Sequence, residues 1–165
     1  MSTVKRNDKL AFYGVKGANG AVTYHRMKGF TDMSGSKNPV EYSRRYVDEP
    51  FEQNDVVGYT PSFSYGFDQQ TGNAVHDDII TIHNDELVLD DAIRSIIFVD
   101  LTSGSDEDGY SAIKRDFAIV ADTEGGSTDA YTYTGNFKVK GDKIKGTAST
   151  TDNWQTCTFT ETSAA

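Results

Sequence analysis

The sequence predicts a mainly β fold: a β-sandwich or barrel with one short α-helix and a long extended loop. Three observations predict it. Aromatic residues make up 12% of the chain against 36% apolar overall, and aromatic and β-branched side chains fit a pleated surface. Tyr59, Pro61, Phe63, Tyr65 and Phe67 alternate strictly with Thr60, Ser62, Ser64 and Gly66, the period of a strand with one buried and one polar face. Turn residues separate short apolar runs at regular intervals, the spacing of roughly eight or nine antiparallel strands.

The elements follow in chain order. Residues 1–8 are polar and read as an N-terminal arm. Leu10 to Val15 is a first strand, closed by the turn Gly17-Ala18-Asn19-Gly20, and Val22 to Met27 pairs back on it. Lys28 to Pro39 is rich in turn formers (Gly29, Ser34, Gly35, Ser36, Asn38) and reads as loop. Val40, Tyr42, Arg44 and Tyr46 share one face of the next strand, which Asp48-Glu49-Pro50 breaks because proline removes a ladder donor. The acidic segment to Val57 reads as a long loop. Then comes the alternating aromatic strand.

Asn73 to His83 is the one helical pattern, with Val75, Ile79 and Ile82 at i, i+4 and i+7. Asn73 suits the N-cap, Asp77 and Asp78 the positive end of the dipole, and Asn84 a left-handed end. Ile93 to Leu101 is a continuous apolar run expected at the centre of a sheet, followed by an acidic loop from Ser103 to Gly109. Ile113 to Ala121 and Tyr131 to Val139 are strands. Gly141-Asp142 is expected to close a hairpin onto Lys143–Thr147, with Lys138, Lys140, Lys143 and Lys145 on its outer side. Trp154 to Thr160 is the last strand.

With 165 residues, the chain suits one domain, 1–165, with a substantial core. Its formal charge of −9 disfavours nucleic-acid binding, which rests on cationic neutralisation of phosphates. The single cysteine, Cys157, forms no internal disulfide, as suits a reducing compartment, and its place between Thr156 and Thr158 reads as a buried thiol. The N-terminus shows no apolar signal segment and no run reaches membrane-spanning length.

No pattern carries catalytic chemistry. His76 and His83 lie seven apart, whereas a helical zinc pair sits four apart; they read as solvated helix-surface residues, and no metal or other cofactor is expected. There is no G-x-S-x-G, and the glycines from Gly14 to Gly20 lack a following helix and a G-K-[ST] ending, so a turn is the reading. The acids from Asp85 to Asp108 do not follow a calcium-loop spacing. Asp106, Glu107 and Asp108 on one loop and Lys138, Lys140, Lys143 and Lys145 elsewhere offer opposite charges for head-to-tail self-association.

The segments Phe30-Thr-Asp-Met-Ser-Gly-Ser-Lys-Asn-Pro39, Glu41-Tyr-Ser-Arg-Arg-Tyr-Val-Asp-Glu49, Asp55-Val-Val-Gly-Tyr-Thr-Pro-Ser-Phe-Ser-Tyr65, Phe67-Asp68 and Thr71-Gly-Asn-Ala-Val-His76 resemble the tail tube (major tail) proteins of long-tailed phages of Gram-positive bacteria. The resemblance covers about Phe30 to Leu101, and the remainder only in strand pattern. It implies a structural, non-enzymatic subunit whose strands join those of its neighbours into rings around a continuous inner barrel, six to a ring, stacked into a DNA conduit. The implied partners are copies of itself and the tape-measure, distal tail and tail terminator proteins. Its implied place is the virion tail, assembled in the host cytoplasm.

On that implication the inter-subunit loop holds Asp48, Glu49, Pro50, Phe51, Glu52, Gln53, Asn54 and Asp55. A lumen face would hold Glu41, Thr60, Ser62, Ser64, Asp68 and Asp100, its carboxylates repelling DNA rather than binding it. The lysines and Asp106–Asp108 are candidates for contacts between rings. Two alternatives carry the same composition: the tube subunit of a headless tail-like bacteriocin, and a carbohydrate-binding sandwich using Tyr110, Tyr131 and Trp154, although alternation favours core packing for Tyr131.

Overall fold

The computed structural model describes residues 1–162. Its strands are β1 (Lys9–Lys16), β2 (Val22–Arg26), β3 (Phe30–Ser36), β4 (Pro39–Arg44), β5 (Gln53–Tyr59) and β6 (Ser62–Asp68). The helix α1 (Ala74–Asp85) comes next, then β7 (Ile93–Ser105), β8 (Gly109–Gly125), β9 (Thr132–Val139), β10 (Ile144–Ser149) and β11 (Thr156–Glu161). Nine strands form one antiparallel sheet in the order β10-β11-β2-β1-β7-β8-β9-β6-β3, and β10 also pairs with β8, which closes six of them into a barrel. Strands β4 and β5 pair with each other alone.

Strand β8 organises the sheet. One edge pairs with β7 up to Ala118. The other edge carries β10 at Tyr110–Lys114 and β9 at Phe117–Gly125. The hairpin expected at Gly141-Asp142 is therefore absent: β9 ends at Val139 opposite Phe117, β10 begins at Ile144 opposite Lys114, and the two lie end to end along β8. Arg115 Nε donates to the Gly141 carbonyl at 2.7 Å, and the Lys140 N–H donates to the Asp116 carbonyl at 2.9 Å, holding the connection on β8. The chain satisfies its backbone groups on a distant strand, which short-range turn chemistry does not reveal.

Two cores result. Leu10, Phe12, Ile97, Val99, Ala112, Ala148 and Cys157 fill the barrel. On the opposite face of β1 and β7, Tyr13 and Ile96 pack with Phe117, Ile119, Tyr65, Phe67, Tyr133 and Phe137 under the helix residues Val75, Ile79 and Ile82. Strand β7 is buried on both faces, which explains its continuous apolar run. Each fully buried aromatic or aliphatic side chain contributes about 1.5–3 kcal/mol.

Asn73 caps α1, its side chain accepting from the N–H groups of Val75 and His76 at 3.2 Å each. The left-handed terminal residue is Glu86 (φ 49°), two positions beyond the expected Asn84. The histidines expected in solvent are buried, His76 at 0% and His83 at 9% exposure. Residues 75, 76, 79, 82 and 83 form one broad apolar stripe at helical spacing, and both imidazoles belong to it. His76 Nε2 donates to the Lys28 carbonyl at 2.8 Å, its Nδ1 accepts from the Gln70 N–H at 3.2 Å, and its ring stacks on Phe67. His83 Nε2 bonds the Tyr65 hydroxyl at 2.8 Å.

Part of the expected loop from Lys28 to Pro39 is strand β3, paired with β6. Its serines and glycine are tolerated because β3 is an edge strand. Gly35 is required there, since a Cβ at that position would lie 2.5 Å from the Phe63 ring.

Candidate assembly surfaces

Beyond the barrel, the second half of β8 continues with β9, β6 and β3 as a four-stranded sheet. Cross-strand register places Ser36, Ser62 and Lys138 in one row, Ser34, Ser64 and Asn136 in the next, and Asp32, Gly66 and Thr134 in a third. Asp68 and Thr132 follow, and on β8 Val120 and Thr123 lie opposite Asn136 and Thr134. Directly paired residues share a face, so this face is polar except for Ala118 and Val120 on β8. Ser64 Oγ and Ser34 Oγ donate to the two oxygens of Asp32 at 2.9 and 2.8 Å. The reverse face carries Phe63, Tyr65, Phe67, Tyr133 and Phe137 into the core. Period 2 thus sends one set of side chains to the core and leaves a flat polar wall behind it.

This sheet has two open edges. Among the described residues the outer edge of β3 has no partner, and β8 has none on its far side after Ala118, where its pairing with β7 ends. Unpaired edges present rows of N–H and C=O groups that template pairing with another chain.

From the end of this sheet an arm projects. The β3–β6 ribbon runs on through Asn38 and Thr60, joined by Thr60 N–H to the Asn38 carbonyl at 3.2 Å and Asn38 Nδ2 to the Thr60 carbonyl at 3.0 Å, into β4 and β5. Every residue of β4 is exposed, as is every residue of β5 except Gly58. Tyr42, Tyr46, Val47, Phe51, Val56, Val57 and Tyr59 all lie open to solvent, and the Arg44 guanidinium sits 5.8 Å from the rings of Tyr42 and Tyr46. The segment expected as one long loop is mostly a hairpin. Asp48, Glu49, Pro50, Phe51 and Glu52 lie in its tip, whereas Gln53, Asn54 and Asp55 pair with Arg44, Ser43 and Tyr42. Strand pairing satisfies the backbone there without any core.

The remaining expected residues are dispersed. Thr60 stands at the arm's root, and Ser62, Ser64 and Asp68 share the polar face. Glu41 lies on the arm opposite Val56, off the polar sheet. Asp100 lies on β7, on the face of Ile96 and Phe98, bound by Lys9 Nζ at 2.7 Å. The Lys9 ammonium first, then the Thr102 hydroxyl and N–H, hold its carboxyl down at about 2. Asp32 joins the polar face unanticipated; the alternation of Asp32, Ser34 and Ser36 around Met33 was its signal, masked by the glycine and serines.

Asp106, Glu107 and Asp108 form the β7–β8 turn at the barrel end, and Lys138 sits on the polar face. Lys143 belongs with Lys37, Arg115 and Lys145, and these cations, Lys37 foremost, press its pKa down. Among the described residues the ion pairs are Lys9–Asp100 and Arg94–Asp78, so there neither these lysines nor the acidic turn forms an ion pair, although the Tyr110 hydroxyl donates to Asp106 at 3.0 Å. Tyr131 is 51% exposed rather than in the core. Trp154 plugs the barrel mouth, its ring 5.9 Å from Phe12 and 5.6 Å from Tyr110, and is no open sugar platform. Cys157 is buried as expected, and burial pushes its thiol up to about 12. No group of three metal-ligating side chains is found among the described residues.

No family model matches the sequence, and no curated protein matches it. Solved structures do. The tail of an empty gene transfer agent particle, determined with C6 symmetry, superposes with a TM-score of 0.61 at 12% identity, over 86% of this chain and 97% of that one. The virion of a native gene transfer agent particle gives 0.57 at 12% identity over the same shares. The SPP1 tail tube gives 0.59 at 15% identity, over 90% of this chain and 81% of that one. The fold is the phage tail-tube fold, as the resemblance in the sequence implied.

Proposed function

We propose that this chain is a structural subunit that self-assembles edge to edge into rings, six copies to a ring, which stack into a tail tube through which DNA passes. The observation that carries the reading is the four-stranded sheet with a polar face and two open edges. Pairing β3 of one copy with the second half of β8 of the next satisfies both edges. Repeated around a ring, it closes a barrel and abolishes edges altogether. The closed surface has the Ser34, Ser64 and Asn136 row on one side and the aromatic core on the other. A large barrel with a polar interior encloses an aqueous channel.

Asp32 and Asp68 would then repeat as rings of negative charge along that channel, outnumbering the one ring of Lys138 on the same face. DNA phosphates meeting such a wall are repelled, the reverse of the cationic neutralisation that holds nucleic acid to protein. The bare arm fits the same reading, since a two-stranded ribbon with no core is marginal on its own in water and gains cover in an assembly. Tape-measure, distal tail and terminator proteins are the partners this role requires.

The test is the assembly state of the purified chain. Electron microscopy of concentrated protein is expected to show rings or tubes. Monomer alone across a range of salt and concentration would overturn the proposal.

A further inference from the structure

Two grooves flank the open edges of the polar-faced sheet, both on its core side. The first, about 480 Å³, lies between β3 and the β1–β2 pair, which share no ladder with β3 among the described residues. Its floor is apolar, with Leu10, Met27, Phe30 and Met33, and its rim carries Arg6, Lys9 and Arg26. Lys9 is held by Asp100, whereas Arg6 and the half-buried Arg26 form no ion pair among the described residues. The Asp8 carboxylate accepts from the Lys5 N–H at 2.8 Å. Methionines adapt their shape to an incoming side chain. The second groove, about 570 Å³, runs along the open edge of β8 at Ala118–Ala121, beside the end of α1.

One cross-strand row joins the two grooves. Met33 pairs with Tyr65, Tyr65 with Gly135 and Gly135 with Ala121, so the row begins in the first groove and ends in the second. Where β3 of one copy pairs with β8 of the next, the first groove of one copy comes to stand beside the second groove of the other, about 4.8 Å away across the new ladder. The rim of the second groove supplies a plug. Val88 and Leu89, in the connection from α1 to β7, are 67% and 84% exposed. Leu89 holds a φ of 54°, a left-handed conformation that a bulky side chain adopts at a cost and that no burial within the chain offsets. Asp85, Glu86, Asp90 and Asp91 flank the two. Arg94 is held by Asp78, which leaves Lys16 and Lys140 as the cations of the adjoining clefts, and the acids outnumber them. An apolar, anionic knuckle thus meets an apolar, cationic socket across the edge. Two different surfaces that meet head to tail close into a ring when the rotation permits.

We infer that the Val88–Leu89 knuckle of one copy seats in the groove of Met27 and Met33 on the next copy of the same ring, with Leu89 on the apolar floor and Glu86 and Asp90 against Arg6 and Arg26. This contact rests on the ring reading above and deepens it. A strand edge alone pairs with other strands and slips in register; a side-chain lock beside the ladder fixes both partner and register.

Two experiments on the full chain test it. The first joins Leu89→Cys and Met33→Cys in one chain, with each single variant as control, and runs the oxidised assembly on a denaturing, non-reducing gel. The double variant alone is expected to give a ladder of covalent multimers that stops at the number of copies microscopy counts in one ring. A ladder that runs past that number would put the contact between rings and overturn the inference. The second experiment combines Arg6→Glu and Arg26→Glu in a chain whose circular dichroism is unchanged. The yield of sedimenting assemblies is expected to fall about tenfold or more, and to return when Glu86→Lys and Asp90→Lys are added. If the reversed chain misfolds, Leu89→Asp, at an exposed position, is expected to give the same fall. Tubes that form from the double-cysteine chain without a ladder, or a loss of assembly that the exchange of charges does not restore, would overturn the contact and leave the tube reading standing. Unmodified chain that forms no assembly at all would overturn both.

Discussion

The Tyr13 hydroxyl donates to Asp78 Oδ2 at 2.5 Å, joining β1 to α1 across the larger core. Arg94 Nε on β7 donates to the same carboxylate oxygen at 2.8 Å. Burial first, then the Asp78 charge, raises the Tyr13 pKa well above its ordinary value, so the phenol stays a donor. This three-residue cluster fastens the helix over the core, on the side away from the polar sheet.

Removing the shared acceptor orphans two donors at once. Asp78→Ala is expected to cost about 2–4 kcal/mol, whereas Tyr13→Phe leaves the Arg94 pair intact and is expected to cost about 1 kcal/mol. Urea unfolding of the two variants measures the difference. Equal, small losses would show that the helix is held by packing alone.

Gly135 on β9 is set against β8 and the core so closely that a Cβ would lie 2.2 Å from the Val120 carbonyl oxygen and 2.5 Å from the Tyr65 hydroxyl. Gly135→Ala is therefore expected to prise β9 from β8 and destabilise the chain by about 1–3 kcal/mol or more. Gly72 has open space around it but a φ of 76°, so Gly72→Ala is expected to cost only the left-handed backbone, about 1–2 kcal/mol. Thermal unfolding of both variants ranks them.

The buried imidazoles make stability depend on pH. Burial lowers the pKa of both His76 and His83 below the ordinary value. The unfolded chain takes up protons first, near pH 6.5, so their contribution is complete above that value and declines as pH falls through it. The unfolding midpoint is expected to drop between pH 7 and pH 5, well above the titration of Asp100 and Asp152, both held at about 2. His83→Gln, which keeps a partner for the Tyr65 hydroxyl, is expected to flatten that slope. An unchanged slope in this variant would remove His83 from the account.

Placing cations on the polar sheet should change transit rather than assembly. Asp32→Lys and Asp68→Lys together are expected to leave tubes intact and to slow DNA ejection from reconstituted tails, because a basic lining retains phosphates. Single-particle ejection kinetics measure the effect. Unchanged ejection would mean that the wall's charge is irrelevant to passage.

Much of this architecture is legible in the sequence, and the exceptions share a cause. The alternation from Phe63 to Phe67 marks β6 because one face is aromatic, and Asn73 marks the start of α1 because its cap acts over three residues. Strand β3 is not legible: serine, threonine and glycine on an open edge look like a turn until β6 is seen beside them. The end-to-end placement of β9 and β10 depends on β8, whose residues Tyr110–Lys114 pair with Ile144–Ala148 from far back in the sequence, and no local signal reports it. His76 and His83 read as solvated because an imidazole is polar, yet Lys28 and Tyr65 supply the bonds that make their burial affordable. The polar wall was visible at Ser62, Ser64 and Asp68 but not at Asp32, and Glu41 and Asp100 stand elsewhere because charge alone does not report a face.

The central claim is that two open edges of one polar-faced sheet meet between copies. Cryo-electron microscopy of the assembled chain tests it most directly. The account predicts rings in which β3 of one copy hydrogen-bonds to residues 119–125 of β8 in the next, with Asp32, Ser64 and Asn136 lining the channel. Rings whose copies meet through other strands, or whose Asp32, Ser64 and Asn136 face outward, would contradict it.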